Sequence, residues 1–135
     1  MQNIHTTIHN FGLLVIRVGL GIVMIIHGVP HLLGGSSTWF GLGQSMAFLG
    51  ITICPAIWGF AAACTETIGA ALLVVGFHAR IMSALLAFTM LVATIMHIQK
   101  GDAFQVYSHA LSLFVIFVGL TCTGAGSLSC DTQKN

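Results

Sequence analysis

The sequence predicts an all-α membrane protein: a bundle of four transmembrane helices with a short interfacial or re-entrant segment between the first and the second. Three observations predict it. Of the 135 residues, 56% are hydrophobic and only 5% are charged, whereas a soluble domain carries roughly 25% charged residues. Four Lys or Arg and three Asp or Glu cannot cover the surface of a soluble domain this size, but they suffice where lipid covers most of it. The mean hydropathy of +0.99 agrees. Finally, several stretches are long and apolar enough to cross a bilayer, which takes about 20 residues. The net charge of +1 and the lack of a basic stripe give no sign of a nucleic-acid partner. The expected surroundings are a lipid bilayer.

Residues 1–10 carry no Lys or Arg, and the apolar run that follows exceeds the about 7–15 residues of a signal-peptide core. The first span, 11–33, is therefore expected to be retained; only Arg17, His27 and His31 interrupt it. The second span, 55–77, is interrupted only by Glu66. The third covers 80–98 and the fourth 103–123, and the chain 1–135 is expected to form a single membrane domain. His78-Ala79-Arg80 is a link short enough to make spans two and three an antiparallel hairpin, and Gln99-Lys100-Gly101-Asp102 is a second tight turn. The link 34–54 is uncharged and sets Trp39, Phe40, Met46 and Phe48 among glycines and serines. That composition suits a segment lying at the interface or dipping into the bundle, and equally an ordinary loop with a Trp anchor. The four cysteines form no CxxC. Cys54 is expected at one membrane face and Cys122 with Cys130 at the other, so they are read as small packing residues and not as a disulfide framework. Arg17, Arg80 and Lys134 fall on the side of the N-terminus and Lys100 opposite, which places both termini in the cytoplasm by the positive-inside rule.

Ionisable groups inside a membrane are costly, and each asks for a reason. Glu66 shares an arc with Gly59, Ala62, Ala63, Gly69 and Ala70, and small residues at this spacing let helices approach closely, so Glu66 is expected to face inward. Counting from the span ends puts Glu66 roughly 16 Å deep, near the midplane, and Arg17 about 9 Å from the cytoplasmic side. Arg17 and Glu66 are the expected pair, either a structural ion pair or part of a proton or ligand site. Arg17, Gly21, Met24, His27, Gly28 and His31 fall on one arc of span one. The same counting places His27 about 24 Å and His97 about 26 Å from the cytoplasmic end, with His109 about 9 Å below the outer end of span four. Three helices thus bring His27, His97 and His109 to a similar depth, with His31 one turn above. Such a layer can bind a transition metal or haem, hydrogen-bond an organic ligand such as a quinone, or serve only structural hydrogen bonds. His5, His9 and His78 are read as interfacial. No nucleophile–base triad or dinucleotide fingerprint is present, and Gly34-Gly35-Ser36-Ser37 lacks the Gly-Lys and the strand context of a phosphate loop.

In order along the chain, these residues resemble the DoxX family of small bacterial membrane proteins. Span one carries Arg17 and then His27-Gly28-Val29-Pro30-His31-Leu32, where the family pattern reads His-Gly-x-Pro-Lys-Leu. Trp39-Phe40-Gly41-Leu42-Gly43 and Gly50-Ile51 resemble its first loop, and Trp58-Gly59-Phe60 followed by Glu66 its second span. Gly76, Arg80, Met90, His97 and Gly101-Asp102 follow its third span. Ser108-His109-Ala110-Leu111, Gly124-Ala125-Gly126-Ser127 and the run to Asp131 resemble its fourth. The resemblance covers nearly the whole chain. It implies a four-helix protein of the bacterial inner (cytoplasmic) membrane. It further implies an association with quinone-linked oxidoreductases, notably thiosulfate oxidation, or with defence against oxidative or thiol stress. His31 stands where the family often has Lys, Ser112 where Glu is expected, and Ser127-Leu128-Ser129-Cys130 where an aromatic is usual. These departures bear on any ligand held by the family's charges, and the extra histidine at 31 moves the balance slightly toward a metal or haem.

The leading expectation is a membrane subunit of a redox system with a redox protein partner, holding a quinone or similar ligand between Arg17, Glu66 and the histidine layer. Arg17 would keep Glu66 ionised or bind an anionic ligand, Glu66 would accept or relay a proton, and His27, His97 and His109 would hydrogen-bond the ligand, with His31 at the rim. The rival is a non-enzymatic scaffold or assembly factor, whose small-residue faces would pack against a partner helix or a second copy in a homo-oligomer. A second alternative is a haem- or metal-binding membrane protein with His27, His97 and His109 as ligands.

Overall fold

The computed structural model describes residues 2–131 and is an all-α membrane bundle with four helices long and apolar enough to span a bilayer. We label the elements α1 (Gln2–Leu33), α2 (Gly35–Gly43), a 3-10 segment (Gln44–Leu49), α3 (Pro55–Val75), α4 (Ala79–Gln99) and α5 (Phe104–Thr123). The helix α1 starts well before residue 11. Exposed Ile4, Ile8, Phe11 and Val15 recur every three or four residues, which is a helical stripe. The same stripe continues through exposed Ile22, Ile26, Val29 and Leu33. At 32 residues and 1.5 Å each, α1 is about 48 Å long, more than the hydrocarbon core of a bilayer.

Glycines end the later spans. Gly76, Gly101 and Gly124 take the left-handed region at φ +73°, +77° and +79°, which a residue without a Cβ reaches at little cost. This is why α3 stops at Val75 and not at residue 77. Pro55 opens α3 at a first-turn position, where its missing N–H is not needed.

The helices α4 and α5 pack along their length, while α1 lies against the second half of α3. The shared core holds Met24, Leu73, Leu86, Leu113 and Phe117. No more than a third of each span is buried within the bundle, and large side chains such as Ile26, Ile57 and Val115 point outward. Their partner is lipid.

The link 34–54 is largely helical, not an ordinary loop. Gly35 turns the chain at φ +75°, and α2 then runs beside the first half of α3. This contact is made at two glycines: a Cβ at Gly43 would strike the carbonyl of Pro55, and one at Gly59 the carbonyl of Trp39. Trp39 stacks edge-on against Phe60 with ring centroids 4.8 Å apart. Its indole N–H donates to the carbonyl of His31 at 3.1 Å. That bond serves one of the last carbonyls of α1, which the helix end would leave unpartnered. Among the cysteines, Cys54, Cys122 and Cys130 are exposed, Cys64 is half-buried, and all four are free thiols.

Candidate functional site

Where α1 and α3 cross, the close approach falls at Gly28. A Cβ there would lie 2.6–2.7 Å from Thr67 Oγ1 and from Glu66. One helical repeat away, Gly21 lies against Ala70 and Val74. This register brings the last turn of α1, and with it His31, beside Glu66. The stretch Thr65–Gly69 of α3 is a π turn, a local widening that recurs at functional positions in helices. Glu66 sits in it, 4% exposed, and its Oε2 accepts a hydrogen bond from His31 Nδ1–H at 2.7 Å.

A second imidazole is held the same way. His97, near the end of α4, donates from Nδ1 to Asp102 Oδ2 at 2.7 Å across the turn before α5. An ionised carboxylate accepts only through its lone pairs, so with Glu66 and Asp102 ionised the proton lies on Nδ1 in both cases. Nε2 is then an acceptor in the neutral ring and a donor in the imidazolium. Two further imidazoles, His27 on α1 and His109 on α5, face each other with centroids 5.9 Å apart and a 46° tilt.

The four imidazoles and Glu66 border one cavity of about 580 Å³. His27, His31, Glu66, His97 and His109 line it. Its apolar wall is Met24, Met46, Met90, Met96, Leu85, Phe88 and Leu113, and Gly41, Leu42, Gly43, Ser45 and Met46 of α2 and the 3-10 segment cover one side. Trp58, Leu85 and Phe88 line the cavity and are also exposed, so its wall reaches the outer apolar surface of the bundle. The structure thus brings five of the six sequence-derived candidates to one place.

Arg17 is the exception, and its expected pairing with Glu66 is corrected. Eleven residues separate Arg17 from Gly28, about 16 Å along the helix, and Gly28 is the residue level with Glu66. Pairing them by depths of about 9 Å and roughly 16 Å counted from span ends assumed that α1 begins at residue 11, whereas the crossing of the helices sets the true register. Arg17 is 3% exposed and binds the segment after α5. Its Nη1 donates to the carbonyl of Ala125 at 2.8 Å and its Nη2 to that of Leu128. The same segment is tied by Ser127 N–H to Asn10 Oδ1 at 3.1 Å. Asp131 accepts from the N–H groups of His78 and Ala79 at 2.7 and 2.9 Å, capping the start of α4. Arg17 is therefore a clasp for the segment after α5 and stands apart from the cavity.

The metal candidates His27, His97 and His109 all line the cavity. Among the described residues, however, no three His, Cys, Asp or Glu side chains come together as a metal-binding group. Reading the sequence missed Asp102 as the partner of His97 and Trp39 as the anchor of the His31 backbone. The signal for Asp102 was present: it follows His97 by five residues across a Gly101 turn.

No curated protein and no solved structure matches the chain. The DoxX family pattern matches residues 12–98, taking in most of α1, the α2 segment, α3 and nearly all of α4. With well over half its length matched, including His27, His31, Glu66 and His97, the chain belongs to the DoxX family.

Proposed function

We propose that this DoxX protein is the membrane subunit of a quinone-linked oxidoreductase or oxidative-stress system and that its cavity binds a quinone head group. The observation that carries the reading is the cavity itself. It combines two carboxylate-held imidazoles with an apolar wall that reaches the outer apolar surface of the bundle. A quinone suits both halves, since its reduced form donates to a neutral imidazole and its oxidised form accepts from an imidazolium, while its ring and tail stay in apolar surroundings. When bound, it would supply two-electron, two-proton redox chemistry. Glu66 would hold the His31 ring in one tautomer and orientation and stabilise the imidazolium when a proton arrives. Asp102 would do the same for His97. His27 and His109 would flank the ligand.

The remaining assignments belong to the same proposal. Arg17 and Arg80 stand at one end of the bundle and Lys100 at the other. Lys134, the further charge on the N-terminal side, lies outside the described residues. By the positive-inside rule both termini would lie in the cytoplasm and the His97–Asp102 end of the cavity at the outer face of the inner membrane. A redox protein partner would deliver or collect the electrons. For the scaffold reading, Gly21, Gly28, Gly43 and Gly59 are engaged within the chain, which leaves glycines such as Gly12, Gly19 and Gly119, where a Cβ would meet open space, for a partner helix.

The test is the content and response of the purified protein. A solvent extract of protein purified in mild detergent is expected to contain quinone, and added quinones are expected to raise the melting temperature. An extract without quinone, together with no thermal shift for any quinone, would remove the basis of the proposal. A Soret band would favour haem instead.

A further inference from the structure

We infer that the ligand is held at both ends of its ring, one oxygen on His31 and the other on His97, and that the site is built to take the reduced, 1,4-dihydroxy form. The inference rests on the quinone reading and deepens it. His31 and His97 come from different helices, α1 and α4, and both line the same cavity. Each has its Nδ1 committed to a carboxylate at 2.7 Å. Each therefore offers a ligand only Nε2, and in the neutral ring that atom is a hydrogen-bond acceptor. Two acceptors carried by different helices into one cavity match a molecule with hydroxyl donors at opposite ends. A quinol has these, while a quinone, with two carbonyl acceptors, meets two lone pairs unless the rings are protonated. His27 and His109 contact each other and have no carboxylate partner among the described residues, so they do not fix a tautomer in this way. The two carboxylates differ in setting: the Glu66 side chain is 5% exposed and that of Asp102 36%. The carboxylate at the His97 end is thus the more exposed of the two, and a proton accepted there can pass to Asp102.

The experiment uses the full-length protein in nanodiscs and isothermal titration under anaerobic conditions. Three probes share one ring and tail: the 1,4-quinol, its monomethyl ether and its dimethyl ether. Each hydroxyl that finds an acceptor is expected to tighten binding by roughly tenfold, giving the order quinol, monoether, diether. In His97→Leu the quinol and the monoether are expected to bind alike, because only one acceptor remains, and Asp102→Asn is expected to narrow the difference. If the wild type binds the monoether as tightly as the quinol, two-ended binding is overturned while the quinone reading stands. If no probe binds and the oxidised quinone does not bind either, the quinone reading itself fails. If the oxidised quinone binds more tightly than the quinol at neutral pH, the assignment of the reduced form is wrong. The probe series is read on the wild-type protein, so the outcome does not depend on a variant that folds.

Discussion

Replacing Arg17 by Leu tests whether the clasp or a pairing with Glu66 explains the buried guanidinium. The side chain is 3% exposed and makes two hydrogen bonds to carbonyls of Ala125 and Leu128. Hydrogen bonds from a charged donor contribute about 1.5–3 kcal/mol each. The variant loses both, but it also removes Nε, which is buried without a partner, and this returns about 1 kcal/mol. The expected loss is roughly 2–5 kcal/mol. Glu66→Gln keeps an oxygen that accepts from His31 Nδ1–H and turns a charge-assisted bond into a neutral one, a loss of about 1 kcal/mol. The sites lie about 16 Å apart along α1 and share no partner, so the double variant is expected to show the sum of the single losses within about 0.5 kcal/mol. An ion pair predicts the opposite, since removing both charges would relieve the one left buried. The assay is equilibrium unfolding in mixed micelles by titration with a denaturing detergent, on the wild type, both single variants and the double variant. A double variant more stable than Arg17→Leu would refute the clasp and restore the pair.

Gly28→Ala places a methyl group against the backbone of Glu66; overpacking of this kind costs about 1–3 kcal/mol. It is expected to lower the melting temperature and weaken quinol binding together, whereas Gly19→Ala, where a Cβ meets open space, should change neither. Asp131→Asn is expected to lose about 1–2 kcal/mol through the cap on His78 and Ala79, read as a lower melting temperature with ligand affinity unchanged, because the cap lies at the far end of the bundle from the cavity. Thiol titration of the unfolded chain without reductant is expected to find all four cysteines free.

Much of the architecture was legible because lipid leaves a simple record. Apolar runs of span length, glycine turns and inward small-residue arcs mark where helices run and stop. Depth was legible too, since His27, His31, His97 and His109 were placed at one end by counting residues and all four line one cavity. Register between helices was not. It depends on which small residue meets which neighbour, and Gly28 against Glu66 moved the carboxylate from Arg17 to His31. The helical extension to Gln2 was hidden by Thr6, Thr7 and Asn10, which read as a polar terminus, although Ile4, Ile8 and Phe11 keep helical spacing. The π turn at Thr65–Gly69 left no mark in the residue pattern, because its geometry reflects the packing on both sides of α3.

That turn gives α3 a reading frame. Each residue of an α-helix advances 100°, and a π turn takes in about one residue more than an α turn, so the two halves of α3 stand roughly 100° out of phase. They answer to different neighbours: Gly59 to the carbonyl of Trp39 in α2, and Ala70 to Gly21 in α1. A chain shorter by one residue between 65 and 69 would close into a continuous α-helix. It would then satisfy one of those contacts and rotate the other into lipid. Within this helix the number of residues matters as much as their identity, and relatives that keep both contacts must keep the count.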